Sequence, residues 1–102
     1  MRLTSQEKHE IMTLVARAFN KKRNWKLWLF GSRVNDQLKG GDVDLCIIAD
    51  ESPEELLHKQ LWLRSEIEET LDLPVDLIMQ STQRPEKLVT RKAIETGVEL
   101  TR

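Results

Sequence analysis

Three aspartates, one glycine and one serine are the residues of this 102-residue chain whose types and spacing could do chemistry. Asp42 and Asp44 stand at the head of an apolar, β-branched run, and side chains at i and i+2 of a strand project to the same side. Two carboxylates held together repel, so one pKa rises unless a cation joins them, and hard oxygen ligands of this kind select Mg²⁺. The competing reading is a solvated strand end on which Asp44 pairs with a nearby base. Asp76 lies within Pro74-Val75-Asp76-Leu77-Ile78-Met79, where an acid is costly to bury without a partner or a metal. An outward place on an alternating strand accounts for it alone; a strand lying beside the Asp42–Asp44 segment would make it a third ligand. Phe30-Gly31-Ser32-Arg33 places glycine and serine at a strand-to-helix turn. Unpaired N–H groups at such a turn suit a phosphate, glycine lets the backbone approach it, and the Ser32 hydroxyl can donate to it. Taken alone, Gly-Ser is an ordinary turn dipeptide.

These residues need strands to hold them, and the apolar pattern supplies them. Thr4-Ser5-Gln6-Glu7 reads as a capping box, and Ile11, Leu14, Val15, Ala18 and Phe19 then recur at helical spacing, predicting a helix over about residues 5–22. Trp25 to Phe30 is a short apolar run that predicts a strand, and a short helix from Ser32 to about Leu38 is stopped by Gly40-Gly41. Val43 to Ala49 reads as a central strand. Ser52-Pro53-Glu54-Glu55 opens a helix to about Leu71, with Leu56, Leu63 and Ile67 on one face. Val75 to Met79 gives a third strand, and Thr82 to Thr96 a last helix with Pro85 in its first turn and Gly97 just past its end. Val98 to Leu100 adds a few extended residues. The order is α-β-α-β-α-β-α: an α/β fold on a small sheet of about three strands.

Size and composition exclude several classes. A chain of this length carries one hydrophobic core, so one domain is expected over residues 1–102. Its 16 basic and 17 acidic residues give a net charge of −1, which offers no general attraction for nucleic acid or an anionic membrane. No apolar run reaches the ~20 residues of a membrane span, and the N-terminus lacks the apolar core of a signal peptide. One cysteine, Cys46, allows no intrachain disulfide and reads as a small buried hydrophobe. A soluble cytoplasmic protein is the expectation.

Charge is nonetheless uneven: residues 1–30 hold seven basic and two acidic groups, and residues 31–102 hold nine and fifteen. The cluster Lys21, Lys22, Arg23 and Lys26 either complements the dipole of the first helix or forms a docking or RNA-contacting patch. Trp25, Trp28 and Trp62 fit either the core or an interface. His9 and His58 read as surface residues, and Glu66, Glu68 and Glu69 as a solvated helix face.

Gly-Ser, a nine-residue spacer, Asp-x-Asp at a strand start and a later strand aspartate together resemble the DNA polymerase beta-like nucleotidyltransferase superfamily. The chain looks most like its minimal nucleotidyltransferase (MNT) branch, over roughly residues 5–100. The resemblance implies a nucleotidyltransferase fold in which Asp42, Asp44 and Asp76 bind two Mg²⁺ ions. It implies that Asp76 also helps deprotonate an acceptor hydroxyl, and that Gly31, Ser32 and Arg33 hold the phosphates of ATP or another nucleoside triphosphate. Family members often carry a serine before the first aspartate and an Arg-Gly after the Gly-Ser; here Gly41 and Val34-Asn35-Asp36 stand in those places.

Larger members add an acceptor-binding region, so a chain of this size is expected to take its acceptor from another protein. Members of the MNT branch are often paired with a small helical HEPN protein, and the resemblance implies such a partner here. The implied function is AMP transfer to a hydroxyl of that partner, as the antitoxin of a HEPN/MNT pair. The alternatives are a non-catalytic antitoxin that masks its partner by contact, or nucleotide transfer to a small molecule such as an aminoglycoside across a homodimer cleft.

Overall fold

The computed structural model describes residues 3–31 and 43–101 of the chain. Three helices and four strands alternate along them: α1 (Ser5–Ala18), β1 (Trp25–Phe30), β2 (Val43–Ala49), α2 (Pro53–Leu71), β3 (Val75–Ser81), α3 (Leu88–Thr96) and β4 (Val98–Leu100). The expected short helix from Ser32 to Leu38 falls outside the described residues.

The helix starts are local chemistry. Thr4 Oγ1 accepts from the Glu7 N–H at 3.0 Å and Glu7 Oε1 accepts from the Thr4 N–H at 2.8 Å, so two otherwise orphaned donors are satisfied reciprocally. Ser52 caps α2 through the Glu55 N–H, with Pro53 in the first turn. The first helix ends at Ala18 instead of running to 22, because Asn20 and Lys21 take left-handed backbone angles (φ 53° and 63°). Trp25 closes that turn: its ring stacks on Phe19 at 6.1 Å and its indole N–H donates to the Lys22 carbonyl at 2.9 Å.

The sheet order is β3-β2-β1-β4, with β2 and β3 parallel and the other two pairings antiparallel. The extended residues after Gly97 are thus a true fourth strand, paired to β1 from Leu27↔Leu100 to Leu29↔Val98. Leu27, Leu29, Val43, Leu45, Ile47, Ala49, Val75, Leu77 and Met79 turn one sheet face into the core. There they meet Ile11, Val15 and Phe19 from the α1 side and Leu56, Leu63 and Ile67 of α2. Each fully buried aliphatic or aromatic side chain of that set contributes roughly 1.5–3 kcal/mol. Helix α3 lies on the opposite face, burying Thr90 and Ala93.

The last helix begins at Leu88, not Thr82. Residues 82–87 are instead held as a loop by two side chains of β3. The buried Gln80 uses its whole amide: Oε1 accepts from Thr90 Oγ1 (2.8 Å) and the Lys87 N–H (2.9 Å), while Nε2 donates to the Ser81 and Pro85 carbonyls. Ser81 Oγ donates to the Glu51 carbonyl at 2.5 Å and accepts from the Gln83 N–H at 3.0 Å. Gly97 is extended (φ −100°), so it is not the left-handed cap its position suggests. A side chain there would stand 2.5 Å from the Leu29 and Ala93 carbonyl oxygens, which is why glycine turns α3 into β4.

The outer edge of β3 is closed by side chains. Glu68 accepts from the Val75 N–H at 2.8 Å, Arg64 donates to the Val75 carbonyl at 3.0 Å, Gln60 to that of Leu77, and Lys87 to that of Met79. Glu68 therefore works on the strand edge and is no part of a purely solvated helix face. Charged and polar side chains placed this way block the addition of a foreign strand.

Candidate active site

Parallel pairing of β2 and β3 sets Asp44 directly beside Asp76, and antiparallel pairing of β1 and β2 sets Phe30 on the other side of Asp44. Register partners on adjacent strands project to the same face, with strands about 4.8 Å apart. The two carboxylates thus share the α3 face of the sheet, at the end where β1 finishes and β2 and β3 begin. Asp44 is half-buried and Asp76 exposed. Gly31 completes this corner. It takes a left-handed φ of 76°, and a Cβ built on it would collide with the Asp44 carboxylate. Only glycine lets the backbone after β1 lie against that aspartate.

Three of the expected residues, Gly31, Asp44 and Asp76, therefore meet at one corner. Ser32, Arg33 and Asp42 lie outside the described residues. Among the described residues no three histidine, cysteine or acidic side chains converge on one point. The donor chemistry fits a hard divalent cation: two carboxylates side by side favour a shared positive charge, and oxygen-only ligands suit Mg²⁺.

Behind the carboxylates the same face is dry. Cys46, two residues along β2 from Asp44, is fully buried; that burial pushes its thiol up to about 11, opposed by the positive charge of Lys87 and a hydrogen bond with Thr90. Thr90 donates to Gln80, so Thr90 and Gln80 pin α3 to the sheet beside the acidic corner. A glutamine in an apolar strand was the available signal for this network, and the sequence reading passed over it. It also missed Glu51, which is buried, paired with Lys59 and hydrogen-bonded by Asn24; Lys59 in turn sits 4.5 Å above the Phe19 ring.

A profile of the nucleotidyltransferase domain family matches residues 12–99. The chain belongs to that family. No curated protein matches the chain significantly. Solved structures share the fold. A chain of the rebuilt and re-refined structure of tri-AMPylated Shewanella oneidensis HEPN toxin in complex with MNT antitoxin superposes with a TM-score of 0.70 at 17% identity, over 97% of this chain and 72% of that one. A chain of a toxin–antitoxin structure with AMP-PNP gives a TM-score of 0.70 at 20% identity, over 92% and 72%. A chain of an MntA–HpeT toxin–antitoxin mutant, with two aspartates two positions apart changed to glutamates, gives 0.70 at 18%, also over 92% and 72%. The family's fold is thus the one observed: a mixed α/β sheet with helices on both faces. Among the described residues no helix is long and apolar enough to cross a membrane.

Proposed function

We propose that this nucleotidyltransferase domain transfers AMP from ATP to a hydroxyl of a partner protein, as the antitoxin of a HEPN/MNT pair. The observation that carries the reading is the side-by-side register of Asp44 and Asp76. Asp44 and Asp76, together with Asp42, would hold Mg²⁺. When bound, the metal screens the triphosphate charge and stabilises the charge that develops at the α-phosphorus. The protein's own part is placement: Gly31 brings the backbone against Asp44 where phosphate oxygens would lie, and Ser32 and Arg33 follow it in sequence as further phosphate contacts. The acceptor oxygen forms a bond to the α-phosphorus as the bond to pyrophosphate breaks, and exposed Asp76 takes the hydroxyl proton. The likeness to chains from an AMPylated HEPN–MNT complex and from an AMP-PNP complex supports adenylate as the transferred group and a HEPN protein as acceptor.

The test is incubation with Mg²⁺, ATP and the cognate partner, read by intact mass. Adenylate added to the partner by the native protein and not by Asp44→Asn supports the proposal; an unmodified partner refutes it. A contact-only antitoxin is the second reading, favoured by Leu57, Leu61 and Trp62 on α2, which are 61%, 71% and 42% exposed. Neutralisation that persists in Asp44→Asn would establish that reading instead.

A further inference from the structure

A groove of about 950 Å³ runs between α1 and the β1–β4 margin of the sheet, far from the acidic corner. Its rim carries Arg17, Lys21, Lys22, Arg23 and Lys26 against a single acid, Glu99. None of the five joins an ion pair with an acid among the described residues. Complementing the α1 dipole explains only Arg17, the basic residue of its last turn, because α1 ends at Ala18 and the other four lie beyond it. Their repulsion is held in a fixed shape. The Lys21 N–H donates to the Ala16 carbonyl at 2.8 Å, the Lys22 N–H to that of Phe19 at 3.0 Å, and the Trp25 indole ties down Lys22.

The floor differs in kind from the rim: half-buried Ala16 and the exposed edges of the otherwise buried Met12 and Leu100 line it with aliphatic surface, over the fully buried Leu27. Single-stranded nucleic acid binds basic grooves by stacking its bases on free aromatic faces. Trp25, the groove's aromatic residue, is already stacked on Phe19, and its N–H is already bonded. An aliphatic floor inside a cationic rim complements aliphatic side chains flanked by carboxylates.

We propose that this groove docks an acidic, amphipathic peptide segment of a partner protein. The groove lines β1 from Trp25 to Leu27, whereas Phe30 pairs with Asp44, so groove and carboxylates lie toward opposite ends of β1, at least roughly 10 Å apart along the extended chain. Docking and group transfer can therefore proceed at once on separate surfaces. The inference does not depend on the transfer reaction, since binding is read without nucleotide and on the Asp44→Asn protein as well.

The experiment is fluorescence anisotropy with a labelled helix-forming peptide of about 18 residues, leucines at helical spacing and glutamates elsewhere. Three comparison probes are polyglutamate, the same peptide with lysine for glutamate, and a single-stranded RNA oligonucleotide. The expected result is saturable binding of the Glu/Leu peptide, weakened at least tenfold in Lys22→Glu/Lys26→Glu and by added salt, and retained in Lys22→Arg/Lys26→Arg. Both substituted positions are exposed, and circular dichroism checks the fold. No binding of the Glu/Leu peptide, equal affinity for polyglutamate or the lysine peptide, tighter binding of the RNA, or affinity unchanged by charge reversal would each overturn the proposal.

Discussion

One face of the sheet, turned toward α1 and α2, presents Leu27, Val43, Leu45, Ile47 and Val75, all essentially inaccessible. The opposite face presents Asp44 and Cys46 from β2, and Asp76, Ile78 and Gln80 from β3. Strand alternation produces this division: a shift of one residue would bury two carboxylates in the core and expose the aliphatics. The first face supplies burial energy, and its side chains are interchangeable if volume is kept. The second is half acidic corner, half hydrogen-bonded network, and there the identity of each group decides what it does.

Substitutions can break that division. Asp76→Asn or Asp44→Asn should reduce nucleotide transfer by more than about 100-fold, a metal ligand mattering more than its supporting groups, with the melting temperature nearly unchanged; parallel kinetics and calorimetry check both. Ile47→Ala, at a fully buried position on the other face, should do the reverse. It should cost about 2–5 kcal/mol in urea unfolding while leaving the chemistry of the folded fraction intact. If Ile47→Ala abolished transfer at full folding, the two faces would not be separable.

Gln80→Leu sharpens the comparison from within the polar face. It strips four hydrogen bonds at once, and the two donors and two carbonyls left unmatched cost about 1–3 kcal/mol for each group that water cannot reach. Hydrogen exchange should show residues 82–96 opening first. Gly31→Ala should lower stability by about 1–2 kcal/mol from its left-handed backbone, and should also impair transfer by displacing the Asp44 carboxylate; an unchanged reaction rate would separate Gly31 from the site. The smallest effect is expected at Cys46, whose burial should keep it unlabelled by iodoacetamide until the protein unfolds.

What could be read from the chain alone follows how local each cause is. Thr4 with Glu7, and Ser52 with Pro53, act within four residues and were legible. So was the alternation in Val43–Ala49. The start of α3 was not, because Pro85 resembles a first-turn proline, while the residue that governs the loop, Gln80, acts from an adjacent strand on Lys87 and Thr90. Likewise, Asp44 and Asp76 were recognisable as chemical groups, but their adjacency comes from the β3-β2 pairing across an intervening helix. The basic cluster was visible; that it rims an aliphatic groove emerged only when β4 folded back onto β1.

The sealed margin of β3 has a bearing on assembly. A sheet that grows by edge-to-edge recruitment needs two sticky borders, and Glu68, Arg64, Gln60 and Lys87 leave, among the described residues, a single candidate, the three-residue β4. Copies meeting through that remaining border would close on themselves as pairs. Fibre propagation, the hazard of concentrated β-rich proteins, is denied its second attachment point.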